Sequence, residues 1–335
     1  MLRALLSDDL PRSRWLAIVL VAIVVGLAVA PFLFPGAKSL NVAAKICVFI
    51  VLAASFDLLL GYTGIVSFAH TMFFGIGAYG VAIALTRMGA GWDAVAVGVV
   101  AGLVVAIVLA TLIGLFSLRV RTIFFAMITL AVASAFLILA SQLSDITGGE
   151  DGLNYRLPAV LRPSFRPFEG FNGRLLDYYL VYGVSLGLVL VLLRIVNSPF
   201  GSVLMAIREN PFRAEAIGYR TVVYRTLASC IAAAAAALAG ALLALWSSQT
   251  NPDTTLSFDI MVDILLMVVI GGMGTTYGAA IGAVLLVLAQ NYLQGLVGDR
   301  WLLWLGVAFI LCVYFFPAGI VGRLRQKVYT KDVDN

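Results

Sequence analysis

The sequence predicts an all-α integral membrane protein, a single transmembrane domain over residues 1–335. Of its residues, 62% are hydrophobic and only 12% are charged, whereas a soluble domain carries about 25% charged residues. Long apolar runs follow one another with short breaks, and several exceed the ~18 residues that span the hydrocarbon of a bilayer. Because lipid offers the backbone no hydrogen-bond partner, such runs must form helices.

The apolar runs predict ten transmembrane helices. The third is rich in glycine and the eighth is short. The first run also resembles a signal peptide, since basic residues precede it and it contains Ala28-Val29-Ala30. Its length and its continuation as PFLF favour a retained helix. The predicted ranges are 15–34, 42–60, 65–86, 92–118, 122–143, 178–196, 224–247, 258–272, 276–297 and 301–316.

The distribution of Lys and Arg predicts the orientation. With ten helices both termini lie on one side, and that side receives fourteen basic residues against seven on the other. Lys45, inside a helix, completes the total of 22. Since cytoplasmic connections carry the excess of positive charge, we expect both termini in the cytoplasm. Two connections are longer than turns, a periplasmic loop over 144–177 and a cytoplasmic segment over 197–225.

Two glycine clusters superficially resemble nucleotide-binding loops. Residues 75–80 spell G-x-G-x-x-G but lie inside an apolar run, without the strand and acidic residue of a dinucleotide site. Residues 271–278 lack the Gly-Lys pair of a P-loop, which occurs nowhere in the chain. We therefore expect no ATP binding by this chain itself. Small residues at these spacings instead predict close helix packing, at Gly77, Gly80, Gly274, Gly278 and Gly282.

Asp57 and the only histidine, His70, flank a predicted tight turn at Gly61. Helix rise places them at similar depth on adjacent helices, so we expect their side chains to share a hydrogen bond or a bridging water. Ionisable groups in a bilayer often mark a pathway, although local support of the bend is the alternative. Other predicted pathway or support residues are Ser67 and Phe74.

No catalytic or metal-binding set is evident. With a single histidine, the chain has few residues from which to build a Ser/His/Asp catalytic triad or a His-rich metal site. The intramembrane carboxylates are assigned to opposite ends, Asp57 inside and Asp259 and Asp263 near the outer end. The three cysteines, Cys47, Cys230 and Cys312, fit no zinc or disulfide spacing. We expect neither an enzyme nor a metal site.

The cytoplasmic segment contains a predicted short helix within residues 208–218. Pro211 is a favourable first residue and Gly218 a favourable C-terminal cap. A solvated loop explains the charges but not this helix, whereas a docking element for a cytoplasmic partner explains both. We expect Ile207, Phe212, Ala216 and Ile217 to supply the apolar contact.

Four stretches together resemble the permease subunits of branched-chain amino-acid ABC importers, the LivM type. They are GYTGIVSFAH at 61–70 with FFGIGAY at 73–79, TGGEDGL at 147–153, the segment 208–218, and FPAGIVG at 316–322. They span nearly the whole chain in the family's order. Ala69 departs from the family, which usually has glycine there, and the Glu-Ala pair is a loose form of the family's docking motif.

The resemblance implies a bacterial inner-membrane subunit without a cofactor of its own. Its partners would be a second homologous permease subunit, two cytoplasmic ATPase subunits that use ATP, and a periplasmic substrate-binding protein. Leucine, isoleucine and valine are the expected cargo. The implied residues for coupling to the ATPase are Arg208, Glu209, Pro211, Phe212, Arg213, Glu215, Ile217 and Gly218, and those of the periplasmic motif are Thr147, Gly148, Gly149, Asp151 and Gly152.

Three alternatives share part of this pattern. A permease for urea or short amides has the same architecture and much of the motif set, and a sugar-type permease is related. A secondary transporter is more remote, because it works without ATPase partners and needs no docking helix.

Overall fold

The computed structural model of the chain describes residues 14–33, 36–117, 122–165 and 172–300, together with positions 303, 304, 306, 307, 310, 314, 319 and 321. Nine helices in this part are long and apolar enough to cross a membrane. They correspond to the first nine predicted spans, so the prediction of an all-α membrane protein is confirmed. The predicted tenth span, 301–316, and the FPAGIVG motif fall largely outside the described residues.

The first half of the chain is a series of long helices joined by short connections. The second of these helices begins five residues before the predicted start at residue 42, and the third begins five residues after the predicted start at residue 65. The helices are α1 Arg14–Leu33, α2 Ala37–Asp57, α3 His70–Met88, α4 Trp92–Ser117 and α5 Thr122–Gln142.

The second half mixes long and very short helices. Strand β1, Leu153–Asn154, pairs antiparallel with β2, Gln249–Thr250, and ties the outer loop to the end of α10. The helices are α6 Ser144–Thr147, α7 Gly173–Val196, α8 Pro199–Glu209, α9 Pro211–Ala216, α10 Thr221–Ser247, α11 Pro252–Thr255, α12 Phe258–Gly271 and α13 Thr276–Val297.

The core of the domain is built around α2. In an 18-residue stretch of the span Ala37–Thr63, 89% of the residues are buried within the chain, against 22% in an 18-residue stretch of Ile123–Gln142 in α5. Helices α3, α7, α10, α12 and α13 pack around α2, and α1, α4 and α5 lie further out with exposed apolar faces. Since the outer helices expose Val, Ile and Leu, those faces contact lipid or another membrane subunit.

Glycine permits the closest helix contact, between α3 and α10. A Cβ at Gly77 would collide with the carbonyl of Ala237, and a Cβ at Gly240 with the carbonyl of Phe74. On the other side of α3, a Cβ at Gly80 would lie 2.6 Å from the carbonyl oxygen of Gly98 on α4. Gly77 and Gly80 therefore lie at helix contacts, where small residues let backbones approach.

Helix α3 begins well inside the membrane. Helix α2 continues as a π-helical turn, Leu58–Thr63, which Gly64 ends with a φ of 71°. Residues 64–69 are not helical apart from a turn. The His70 ring pairs with Ser55, eight residues before Thr63, so α3 starts roughly 10 Å above the inner end of that turn. The turn predicted at Gly61 thus lies at Gly64.

Helix α12 also begins inside the membrane. Its 14 residues extend about 21 Å, less than the ~30 Å hydrocarbon core. Leu256, just before it, contacts Gly75 of α3, and the Phe258 ring lies 6.1 Å from that of Phe68. Asp259 and Asp263 lie in the first two turns of α12, and their assignment to the outer end stays a prediction.

The TGGEDGL motif forms a compact turn in the outer loop. Gly148, Gly149 and Gly152 all have positive φ, and a Cβ at Gly152 would collide with the Thr250 carbonyl. The Thr147 hydroxyl lies 2.5 Å from the carbonyl oxygen of Ala140, and Asp151 is exposed. The motif thereby turns the chain from α6 into the β1–β2 pair.

Tyr155 fastens this loop to α10. Its hydroxyl donates to the carbonyl oxygen of Ala244 at 2.7 Å and lies 3.0 Å from the Thr250 hydroxyl. Burial raises the pKa of Tyr155 to about 12, so the hydroxyl remains a donor throughout the physiological range.

Replacing Gly77 by alanine should destabilise the domain by about 1–3 kcal/mol, because the added methyl group forces α3 away from α10. Thermal unfolding of the purified protein in detergent measures this. The matched control is Gly187→Ala on α7, where nothing lies within 4 Å of an added Cβ. Equal stability of the two variants would contradict the packing role of Gly77.

Replacing Tyr155 by phenylalanine should weaken the loop attachment by about 0.5–1.5 kcal/mol, because the buried carbonyl of Ala244 loses its donor. Amide hydrogen exchange in residues 153–155 should become faster. Tyr292→Phe is the control, since that side chain is 71% exposed. Unchanged exchange in the Tyr155 variant would show that the strand pair alone holds the loop.

Candidate functional site

Three segments meet at the inner end of the domain: the π-helical turn after α2, the glycine-rich turn between α12 and α13, and helix α8. Asp57, fully buried, accepts a hydrogen bond through Oδ1 from the backbone amide of Gly274 at 2.8 Å. This bond joins the end of α2 to the α12–α13 turn. We call the place where these three segments meet the inner junction. It also includes the contacts of Arg208 on α8.

Arg208 brings α8 into the inner junction. Its Nη1 donates to the carbonyl oxygen of Gly61 in the π-helical turn. Its Cγ would lie 3.1 Å from a Cβ at Gly64, and its guanidinium is in electrostatic range of the Asp57 carboxylate. Arg208, which the resemblance implies as a coupling residue, is exposed, and its guanidinium reaches the membrane domain through this contact with Gly61.

Glycine at two positions makes the inner junction possible. A Cβ at Gly61 would collide with the Asp57 carboxylate and with the backbone of Gly274. Gly274 has a φ of 80°, which L side chains rarely adopt. Gly274 thus belongs to the turn and not to the helical contact face predicted for it. Gly278 and Gly282 do lie on α13, where added Cβ atoms would meet the carbonyls of Gly271 and Met267.

His70 pairs with Ser55 and not with Asp57. The Ser55 hydroxyl donates to the Leu52 carbonyl oxygen at 2.8 Å, and Ser55 Oγ lies 2.8 Å from His70 Nε2. The His70 ring also packs on Phe56, with centroids 5.4 Å apart. Because Ser55 and Asp57 are about 200° apart around the helix axis, the predicted direct hydrogen bond between His70 and Asp57 is wrong, and the alternative of a bridging water stays a prediction.

Ser67 and Phe74, the other predicted pathway residues, are both buried within this chain. The Phe74 ring packs against Phe49 with centroids 6.4 Å apart. Ser67 lies in the irregular segment that precedes α3. Their positions agree with a structural role, in which they support the non-helical segment between α2 and α3.

The short helix predicted within residues 208–218 is α9, and it begins at Pro211 as predicted. Arg208 and Glu209 end α8, and Asn210 separates it from α9. Asn210 Oδ1 accepts from the Arg213 amide at 3.0 Å, and Pro211 occupies the first turn of α9. The sequence analysis overlooked this cap, although Asn followed by Pro is a typical start of a helix.

Helix α9 carries the most exposed apolar side chains of the segment. Phe212 is 82% exposed and Ile217 is 73% exposed, while Ile207, predicted to dock, is fully buried in the chain. Arg213 and Ala216 are also exposed. Gly218 ends the turn with a φ of 97°. The exposed apolar surface of this segment is therefore centred on α9.

Glu215 faces back toward the membrane domain. Its Oε1 accepts from the Thr221 hydroxyl at 2.5 Å, and it interacts electrostatically with Arg225. These contacts fasten α9 to the first turn of α10. Within the described residues, no group of three His, Cys, Asp or Glu side chains is placed to hold a metal ion.

Comparison with known proteins agrees with this architecture. The model of the family described as branched-chain amino acid transport system / permease component matches residues 39–316. The permease proteins LivM of Salmonella typhimurium and Escherichia coli are 27% and 28% identical over 93% of this chain and 76% of their own length. LivH of Escherichia coli is 26% identical over 82% of this chain and 91% of its own.

No solved structure matches the chain. The family match covers most of the chain, and the relatives include both LivM and LivH permease proteins. The chain is a multi-pass protein of the inner membrane, with a transport role and no enzymatic one. It belongs to the family of permease components of branched-chain amino acid transport systems, and its role is that of a permease subunit in an ABC importer.

Proposed function

We propose that this chain pairs with a second, homologous permease subunit and carries leucine, isoleucine and valine from a periplasmic binding protein to the cytoplasm. Two ATPase subunits bind its cytoplasmic face and supply the energy, so ATP is bound by the partners and not by this chain. The names of its relatives, all branched-chain amino acid permeases, support the cargo. The absence of a Gly-Lys pair supports the separate ATPase.

The observation that carries the proposal is the exposed pair formed by Phe212 on the short helix α9 and Ile217 directly after it. Both lie outside the core, on a segment that otherwise carries Arg and Glu. Large apolar side chains at the centre of a charged rim are typical of a protein docking site. The exposed arginines around them contribute about 0.2–1 kcal/mol each as surface ion pairs, so the apolar pair supplies most of the docking.

The inner junction connects the docking segment mechanically to the membrane helices. Helix α8 holds the π-helical turn through Arg208 and Gly61, and Asp57 holds the α12–α13 turn through Gly274. A displacement of α8 and α9 by the ATPase therefore moves α2, α12 and α13 together. These helices form the centre of the domain, so their movement is the step that opens and closes the path.

The alternatives predict different behaviour. A urea or amide permease would import those compounds with the same subunit arrangement, and a secondary transporter would work without docked ATPases. Uptake of radiolabelled leucine by the assembled transporter, with and without ATP and in competition with urea, separates all three. We expect ATP-dependent leucine uptake that urea does not inhibit. Uptake that continues without ATP would contradict the proposal.

Replacing Gly218 by valine should strongly reduce substrate-stimulated ATPase activity and uptake, because a β-branched residue strongly resists the φ of 97° that ends α9. Glu215→Gln should do modest harm, since glutamine keeps an oxygen to accept from Thr221. ATPase and uptake assays on the reconstituted transporter measure both. If Gly218→Val left stimulation and uptake intact, the segment would not be the coupling element.

Replacing Arg208 by methionine should separate ATP hydrolysis from transport. The variant keeps the exposed surface of α9 but loses the contact with Gly61, so the ATPase still docks while uptake per ATP falls. Arg194→Met is the control, an exposed arginine in the last turn of α7. Equal uptake per ATP in the Arg208 variant and the control would rule out transmission through the inner junction.

A further inference from the structure

A long groove with a volume of about 500 Å³ runs along the helices α3, α4 and α5. Its walls come from one face of each helix. Several of the lining side chains are exposed on the surface of the chain, among them Val97 on α4 at 47% and Leu139 on α5 at 48%. The groove therefore opens toward the surroundings of the chain and not into its core. We call it the lateral groove.

Small residues give the lateral groove its depth. Gly80 on α3 and Gly98 on α4 both line it, and the two helices approach so closely there that a Cβ at Gly98 would lie 2.6 Å from the carbonyl oxygen of Gly80. Ala101 on α4 and Ala140 on α5 contribute only methyl groups to the lining. Because these positions carry no large side chain, the space between α5 and the α3–α4 pair stays open.

The lateral groove has the length of one membrane leaflet. On α3 its lining residues run from Ile76 to Met88, which corresponds to a rise of about 18 Å along the helix. Half of a hydrocarbon core ~30 Å thick is about 15 Å. Since α3 ends at Met88, just before the outer connection to α4, the groove extends from the outer surface to about the middle of the bilayer.

A single charge marks the outer end of the lateral groove. Among the described residues that line it, Arg87 alone carries a charge, and it lies in the last turn of α3. Arg87 is exposed, and its Nη2 donates to the backbone carbonyl oxygen of Asp145 at 3.2 Å. A guanidinium has five N–H donors, and this bond uses one of them. The groove is thus apolar along its length and cationic at the membrane surface.

A phospholipid matches these features together. Its acyl chains span one leaflet and its phosphate lies at the membrane surface, where guanidinium groups bind phosphate through charge-assisted hydrogen bonds. A transmembrane helix of another subunit crosses the whole bilayer, so a groove confined to one leaflet does not match its length. Water does not fill the groove either, because apolar walls offer it no hydrogen-bond partners.

We propose that the lateral groove is a binding site for one phospholipid of the outer leaflet. One acyl chain lies between α5 and the α3–α4 pair, and the phosphate accepts hydrogen bonds from Arg87. The lipid supplies packing contacts that α5 lacks, since only 22% of the residues in an 18-residue stretch of α5 are buried within the chain. A ligand that binds the folded chain stabilises it, so the bound lipid holds α5 against the rest of the domain.

The test measures phosphatidylglycerol bound to the purified transporter, by native mass spectrometry after exchange into detergent. Ala101→Phe should abolish binding, because the added ring occupies the lateral groove. Ala96→Phe is the matched control, since it places the same side chain at an exposed position of α4 that does not line the groove, and it should leave binding unchanged. Equal binding by the two variants would refute the proposal.

Arg87→Met tests the head-group contact without filling the groove. Binding of phosphatidylglycerol should fall about fivefold, as expected for one basic residue at a membrane surface. Diacylglycerol, which lacks the phosphate, should bind equally to the variant and the wild type. Arg156→Met is the control, because Arg156 is an exposed arginine of the outer loop that does not line the groove. Unchanged phosphatidylglycerol binding in the Arg87 variant would overturn the proposed site.

Two further measurements test the occupant and its effect. If Ala101→Phe lost the second permease subunit during purification, the groove would be a subunit contact, and the proposal would be wrong. Added phosphatidylglycerol should raise the unfolding temperature of the delipidated wild type by a few degrees but not that of Ala101→Phe. The same rise in both proteins would show that the lipid acts elsewhere and would contradict the proposal.

Discussion

The arrangement of the domain depends on one hydrogen bond, from the backbone amide of Gly274 to the buried carboxylate of Asp57. It joins residues 217 positions apart and holds the inner ends of α2, α12 and α13 together. A buried carboxylate is costly unless it is paired or hydrogen-bonded, and the inner junction provides a backbone donor and the nearby Arg208. Since the bond requires glycine at both Gly61 and Gly274, two glycine-rich stretches far apart in sequence serve a single contact.

Two interrupted helices give the domain its polar interior. Both α3 and α12 begin inside the membrane, and the rings of Phe68 and Phe258 meet where they begin. Irregular backbone at such depth is tolerated where protein buries it or where it borders a cavity. The short α12 carries Asp259 and Asp263 in its first two turns.

The sequence predicts the helices well but not where they break. Apolar runs located nine spans, because hydropathy and length alone determine which segments cross a bilayer. Residues 64–69 and 249–257 escaped notice, since Ile65, Val66 and Phe68 keep the first of these segments apolar although it is not helical. A hydropathy window cannot distinguish a re-entrant segment from the end of a helix.

The functional site could be predicted only in part, because sequence patterns determine local turns but not the contacts between distant segments. Gly218 could be assigned to a positive φ from its place after Pro211, because local turn chemistry determines it. The contacts of Arg208 with Gly61 and of Asp57 with Gly274 could not, since they join segments that only the tertiary fold brings together. His70 was paired with Asp57 by depth alone, without regard to the opposite directions of Ser55 and Asp57 around α2.

The most direct measurement is a structure of the assembled transporter in its nucleotide-free and ATP-bound states. We predict that Phe212 and Ile217 are buried against the ATPase in both. The contacts of Arg208 with Gly61 and of Asp57 with Gly274 should persist while α2, α12 and α13 move with α8. Movement of α8 and α9 with these contacts broken and the three helices unmoved would contradict coupling through the inner junction.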